Sequence, residues 1–222
     1  GVAAGVLGHP ATGIVWLATR YGGRVAIALG VLGVAALPIA LGRHASMNLS
    51  DGTGQQRIQA WSEGLVQLKS PRLLFGMGEG MYSELAGLVA HNSYVHSFVE
   101  LGIVGGAIFF GCFYFPAYAF YRIKRDGIAI EHPELARMLP YIAAILAAWC
   151  MGMASLSRCY VAPTYMVVGV CAAYLNLVGY HRKSPRPLQT LNIYSVRRWA
   201  ACSAALLVCC FLFVKLFARY SG

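Results

Sequence analysis

The sequence predicts an all-α, polytopic membrane protein, a bundle of transmembrane helices with one large polar loop. The chain is 58% hydrophobic and only 12% charged, with a mean hydropathy of +0.59, which is not the balance of a soluble globular protein. Apolar stretches close to the ~20 residues that cross a bilayer recur along the chain. Because lipid cannot hydrogen-bond to the backbone, we expect each stretch to be a helix.

Five stretches are predicted to span the membrane. They are residues 25–41, 97–121, 138–156, 161–178 and 199–217. Residues 1–18 are also apolar but begin without an initiator Met, so we expect a sixth helix whose start is missing.

The net charge of +10 comes largely from cations that lie between the spans, which indicates membrane anchoring and not nucleic-acid binding. The first group is Arg20 and Arg24, the second Arg122, Lys124, Arg125 and Arg137, and the third His181, Arg182, Lys183, Arg186, Arg197 and Arg198. The positive-inside rule places all three groups in the cytoplasm. Residues 43–96 and the turn around Arg158 then face outward, towards the periplasm if the membrane is a bacterial inner membrane.

The outward loop, residues 43–96, has internal order. Residues 55–68 have helical spacing, and their apolar stripe is Ile58, Trp61, Leu65 and Leu68. Pro71 ends this helix, since proline disfavours helix at the residue before it. Three glycines follow, namely Gly76, Gly78 and Gly80. They predict a flexible loop whose backbone can approach a ligand closely.

Ionisable side chains follow where this loop runs into the second predicted span. They are His91, His96 and Glu100, with Asn92 beside the first histidine. Titratable groups at such a boundary are costly, so they indicate chemistry. Arg57 and Trp61 lie about thirty residues upstream in the same loop. A cation and two imidazoles therefore share one membrane face, which is the outline of a site.

The order of these residues resembles the superfamily of bacterial O-antigen ligases and O-antigen polymerases. The matching segments are Arg57-Ile-Gln-Ala-Trp61, then Pro71-Arg-Leu-Leu-Phe-Gly76-Met-Gly78-Glu-Gly80, then His91-Asn92, and then Glu100-Leu-Gly102-Ile-Val-Gly105. The resemblance implies a GT-C-like membrane fold, of which residues 1–222 would be a single membrane domain from the C-terminal half. It also implies that the isolated chain is inactive if it is truncated.

The resemblance implies transfer of a glycan from an undecaprenyl-pyrophosphate donor to a hydroxyl of a glycan, a lipid A core or a protein. His91 would be the essential histidine, and Arg57 would hold the pyrophosphate. An imidazole, with a pKa near 6.5, suits a general base, and arginine can bond two phosphate oxygens in one plane. Three more arginines lie at the predicted outer face and are candidates to bind the same pyrophosphate, namely Arg43, Arg72 and Arg158. A role as solvated cations of the loops explains their presence equally well.

No metal or other cofactor is expected. The loop acids, Asp51, Glu63, Glu79 and Glu84, form no D-x-D pair or compact cluster that would hold Mg²⁺. His96 and Glu100 have the spacing of two metal ligands but lack a third, so a simple hydrogen-bonded pair is favoured. Six of the seven cysteines fall inside apolar spans, and Cys159 alone cannot form an internal disulfide.

Structural explanations compete with the functional ones. Asn92 is expected to cap the helix that starts near Ser93. The same capping motif is the structural explanation for His91, the residue before it. Trp61 is explained equally by an interfacial aromatic role. Gly102, Gly105 and Gly106 are expected to permit close helix packing.

Two other functions stay open. The first is a transporter or flippase subunit for lipid-linked sugars, and the second a non-catalytic membrane scaffold. A transporter predicts charges within the spans, broken helices and an internal repeat.

Overall fold

The fold is all-α in the part of the chain that a computed structural model describes, namely residues 12–16, 18–20, 53–69, 71–87, 89–182, 188 and 190–217. Its helices are α1 (Thr53–Gln67), α2 (Met81–Ala86), α3 (Ser93–Arg125), α4 (Pro133–Met153), α5 (Ala162–Tyr180) and α6 (Ile193–Phe217). A 3-10 turn, Pro71–Leu73, precedes α2. Residues 12–16 and 18–20 are also helical.

Four of the described helices, α3 to α6, are long and apolar enough to cross a membrane. They correspond to the last four predicted spans, with ends shifted by up to six residues. The first predicted span, residues 25–41, lies outside the described residues, as does Arg43. The helix predicted over residues 55–68 is confirmed as α1.

The chain divides into two compact units. The unit that contains the candidate site comprises residues 43–111, 153–159 and 196–222, and so includes α1, α2, the first half of α3 and most of α6. Its buried core is formed by Leu65, Leu68, Tyr82, Ala90, Val95, Phe98, Val99 and Val214. The apolar stripe of α1 therefore packs against neighbouring helices.

The other unit comprises residues 1–42, 112–152 and 160–195. In it, the Tyr174 hydroxyl donates to the Leu135 carbonyl at 2.7 Å, which joins α5 to the start of α4. Trp149 Nε1 donates to Thr164 Oγ1 at 3.3 Å, which joins the other ends of the same helices. Such hydrogen bonds from polar side chains are common between membrane helices.

Helix α3 is broken at Gly102, which has φ 69° and ψ −172°. The segment Leu74–Gly78 lies against this break and satisfies its backbone. The amides of Met77 and Gly78 donate to the carbonyls of Val99 and Glu100 at 3.1 and 2.9 Å, and the Val104 amide donates to the Leu74 carbonyl at 3.2 Å. The loop thus takes the place of the missing helical hydrogen bonds.

Two glycines make this contact possible. A Cβ on Gly76 would lie 2.3 Å from the Glu100 carbonyl oxygen, and a Cβ on Gly102 would lie 2.3 Å from the Leu74 carbonyl oxygen. Both residues also have positive φ. The expectation that Gly102 serves helix–helix packing is therefore wrong, because its close neighbour is a loop. Gly105 and Gly106 lie against Leu101 and Phe98 of α3 itself.

Candidate functional site

The site is built around the N-terminus of α3. Asn92 Oδ1 accepts hydrogen bonds from the amides of Tyr94 and Val95 at 3.0 and 3.2 Å, which is the geometry of an N-cap. The predicted capping role of Asn92 is confirmed. Because the cap fixes the chain entering the helix, it also fixes the residue before it, His91.

His91 has a backbone conformation that is uncommon for a side chain with a Cβ. Its φ is +49°, and no other described residue apart from glycine has a positive φ. The imidazole is partly exposed. A strained, partly exposed histidine beside a helix cap is the kind of outlier that clusters at functional sites.

Trp61 reaches this position from α1, where it lies one turn after Arg57. Trp61 Nε1 donates to the carbonyl of Ala90, the residue before His91. The Trp61 ring also lies 5.7 Å from that of Phe213, measured between centroids. The Trp61 side chain therefore fixes the backbone next to His91, which is a more specific role than interfacial anchoring.

The electrostatics link Arg57 to His91. Partial burial lowers the pKa of the His91 imidazole, and the positive charge of Arg57 lowers this pKa further. At neutral pH the imidazole is therefore neutral and able to accept a proton. Arg57 itself is partly buried, and its guanidinium stays charged.

Arg158 joins the same end of α3 through its backbone. Its amide donates to Ser93 Oγ at 2.8 Å, and that hydroxyl donates to the Leu156 carbonyl at 2.5 Å. The Cys159 thiol donates to the Ser93 carbonyl at 3.1 Å, and burial raises the pKa of this thiol to about 12. The turn at residues 156–159 is thus docked beside His91, with the Arg158 side chain exposed.

Arg72 is placed differently. Its side chain is exposed, and its carbonyl accepts from the Gly76 amide at 2.7 Å in the loop that packs on the α3 break. Its membership of a clamp stays a prediction.

The glycine loop uses two of its glycine amides for contacts within the protein, and its predicted approach to a ligand stays a prediction. The amides of Gly76 and Gly78 both donate to protein carbonyls, those of Arg72 and Glu100. Gly80 begins α2 in a left-handed conformation with φ 82°. The three glycines therefore serve local structure, each with a positive φ.

Glu100 is buried, with 1% of its side chain exposed, and it joins two elements. Its Oε2 lies 3.0 Å from His96 Nε2, and its Oε1 accepts from the Tyr82 amide at 3.0 Å. The predicted proximity of His96 and Glu100 is confirmed, although Oε2 has no hydrogen-bond partner among the described residues. Among the described residues, no three His, Cys, Asp or Glu side chains form a group able to hold a metal ion.

Sequence reasoning missed Tyr82, Gly64 and Ser93. The Tyr82 ring is buried against Gly64, where a Cβ would lie 2.8 Å from it, and its hydroxyl donates to the Ala60 carbonyl at 2.7 Å. Burial, together with nearby carboxylates, raises the pKa of the Tyr82 hydroxyl. A glycine inside an otherwise helical pattern was the available signal for this contact.

These residues bring a neutral imidazole, one partly buried guanidinium and one exposed guanidinium to the cap of a predicted membrane helix. Such a set can accept a proton and bind an anion. No family model, curated protein or solved structure matches the chain, so the functional conclusion rests on this geometry and on the sequence pattern.

Proposed function

We propose that this protein is a metal-independent membrane glycosyltransferase of the O-antigen ligase or polymerase type. It transfers a glycan from undecaprenyl pyrophosphate to a hydroxyl acceptor at the periplasmic face of a bacterial inner membrane. The observation that carries the proposal is the position of His91 at the Asn92 cap, next to Ala90, whose carbonyl accepts from Trp61 one turn after Arg57 in α1. The resemblance of the sequence motifs supports the donor class.

In the proposed reaction, His91 accepts the proton of the acceptor hydroxyl. The acceptor oxygen then attacks the anomeric carbon of the donor glycan and forms the new glycosidic bond. The bond from that carbon to the pyrophosphate oxygen breaks, and the electron pair leaves with undecaprenyl pyrophosphate. The leaving group therefore gains negative charge, which needs stabilisation.

Arg57 supplies this stabilisation, because a guanidinium stays charged and bonds two oxygens in one plane. Arg158 is the second candidate, since its turn is docked on Ser93 beside the histidine. Arg43 and Arg72 are weaker candidates for binding the pyrophosphate, proposed only from their position at the predicted outer face.

The proposal is tested by transfer assays on the full-length protein with lipid-linked donor. Arg57→Lys should lower the rate roughly ten- to a hundred-fold, because an ammonium loses a two-bond contact worth about 1.5–3 kcal/mol. Arg125→Lys, at the opposite end of α3, is the matched control and should transfer normally. A fully active Arg57→Lys protein would remove Arg57 from the clamp.

The same assay tests the independence from metal. Activity should persist in EDTA, since the arginines neutralise the charge that Mg²⁺ neutralises in many pyrophosphate-dependent enzymes. Inhibition by EDTA that Mg²⁺ reverses would contradict the arginine clamp. The proposed sidedness is tested separately, since a cysteine at the exposed position of Glu84 should react with an impermeant maleimide from the periplasm.

Transport of a lipid-linked sugar is the second candidate function. It is favoured by the break of α3 at Gly102, because transporters build binding sites from discontinuous membrane helices. Against it, the backbone groups at this break are bound by the Leu74–Gly78 loop and are not offered to a substrate. Donor flipping without transfer in proteoliposomes would favour the transporter.

A further inference from the structure

The segment Leu73–Phe75 presents apolar side chains away from the protein. The exposed fraction is 41% for Leu73, 52% for Leu74 and 76% for Phe75. Three adjacent large apolar side chains with this exposure would be costly in water, at roughly 25 cal/mol for each Å² of apolar surface. Such a patch marks an interaction surface.

The level of this patch along α3 is fixed by hydrogen bonds. The Leu74 carbonyl accepts from the Val104 amide at 3.2 Å, and Gly76 lies against Gly102. Gly102 is nine residues into α3, about 14 Å from the start of the helix at about 1.5 Å per residue. The patch therefore lies well below the His91 end of the helix.

The apolar part of α3 begins at this same level. The polar and ionisable side chains before the break end at Glu100, and the cations at the other end begin at Arg122. The interval from Gly102 to Tyr121 has the ~20 residues that cross the hydrocarbon layer. The break is thus at the edge of the membrane, and Leu73–Phe75 lies beside the first turn inside it.

Exposed side chains of α3 continue the same surface. Val104 and Ile108 are 44% and 56% exposed and lie one turn apart on the apolar part of α3. An exposed face on a membrane helix contacts lipid. Because the loop patch continues this face of α3, we expect the patch to contact lipid as well.

We infer that Leu73–Phe75 is inserted among the acyl chains of the leaflet on the His91 side, as a membrane anchor that runs beside α3. Non-helical backbone is tolerated at this depth only where protein satisfies it, and the break at Gly102 provides that satisfaction. The inference does not depend on the proposed transfer reaction.

The test is tryptophan fluorescence of the full-length protein in nanodiscs made with brominated phosphatidylcholine. Phe75→Trp adds one indole to the four tryptophans of the chain, and the wild-type spectrum is subtracted. Ile108→Trp is the control for a lipid-facing site, and Glu84→Trp is the control for a water-facing site. The bromine atoms quench only an indole that lies among the acyl chains, whereas acrylamide quenches only one in water.

Brominated lipid should quench the indole at position 75 as fully as the indole at position 108. Acrylamide should not quench the indole at position 75. Quenching by acrylamide, as at position 84, would overturn the inference and return the segment to water. Protection from both quenchers would also overturn it, since the patch would then be covered by protein, such as a second copy or a partner.

A second arm tests whether docking on α3 sets the depth. In the Phe75→Trp protein, Gly102→Ala should displace Leu74 and make the indole less sensitive to brominated lipid. Gly127→Ala is the matched control, since Gly127 also has positive φ but no atom within 4 Å of an added Cβ. Unchanged lipid quenching in a folded Gly102→Ala protein would mean that the break does not position the anchor.

Discussion

The two ends of α3 carry acid–base pairs with the same i,i+4 spacing in opposite surroundings. His96 and Glu100 lie 3.0 Å apart with 12% and 1% of their side chains exposed. Arg122 and Asp126 lie 3.1 Å apart with 37% and 28% exposed. The first pair also binds the Tyr82 amide and so joins α3 to α2, whereas the described partners of Asp126 are Arg122 and Arg125.

This difference teaches that burial and further hydrogen bonds, not sequence spacing, decide what such a pair does. An exposed pair is screened by water and contributes little to stability. A buried pair contributes specificity, because removing one partner leaves the other desolvated and unsatisfied. The His91 end of α3 is therefore organised by polar side chains inside the protein, and the other end by cations at its surface.

The largest expected effect is on the rate of glycan transfer, and it distinguishes His91, just before α3, from His132, in the loop after it. His91→Ala should lower glycan transfer by roughly 10²- to 10⁴-fold, because the acceptor hydroxyl loses its general base. His132→Ala, on the loop after α3, should transfer normally. Both variants are assayed with lipid-linked donor after membrane insertion has been verified, and an active His91→Ala protein would reduce His91 to a turn residue.

The second effect concerns the two acid–base pairs. Glu100→Ala should lower the free energy of unfolding by about 3–5 kcal/mol, because His96 and the Tyr82 amide lose their buried partner. Asp126→Ala should leave stability unchanged within error, since its partners are open to solvent. Thermal unfolding in detergent compares them, and equal transition temperatures would mean that the burial difference has no energetic consequence.

The third effect concerns two glycines of similar conformation, Gly102 at the break and Gly127 just after the helix. Their φ values are 69° and 60°, so alanine should cost about 1–2 kcal/mol at either position. Only at Gly102 does the new Cβ also meet a backbone oxygen, Leu74 O, which should add about 1–3 kcal/mol or more. Unfolding of the two alanine variants measures the difference, and equal losses would show that the loop yields freely.

The smallest effect is a shift in titration. Because Arg57 lowers the pKa of His91, Arg57→Gln should raise that pKa towards 6.5, while Arg57→Lys should keep it low. The shift is upward, so the acidic limb of residual activity should move to higher pH in the glutamine variant alone. Histidine NMR titration checks this, with Arg125→Gln as the control. Burial, the larger cause, should keep the pKa below 6.5 in both variants.

The sequence by itself determined α1, α3 to α6 and the Asn92 cap, whereas α2 was not predicted. Long apolar stretches specify membrane-spanning helices because a lipid-exposed backbone must bond within its own segment, and α3 to α6 follow that rule. Local chemistry likewise specified α1 and the Asn92 cap, since both depend on neighbours within a few residues.

The tertiary structure alone decided which distant side chains meet. Trp61 reaches Ala90, Ser93 binds the turn at Arg158, and Gly76 packs on Gly102, and each of these contacts joins segments far apart in the chain. The spacing of glycines indicated flexibility, but their actual role is a close approach of two backbones. Periodicity reports only a residue's own helix face, whereas the partner across a contact is fixed by packing.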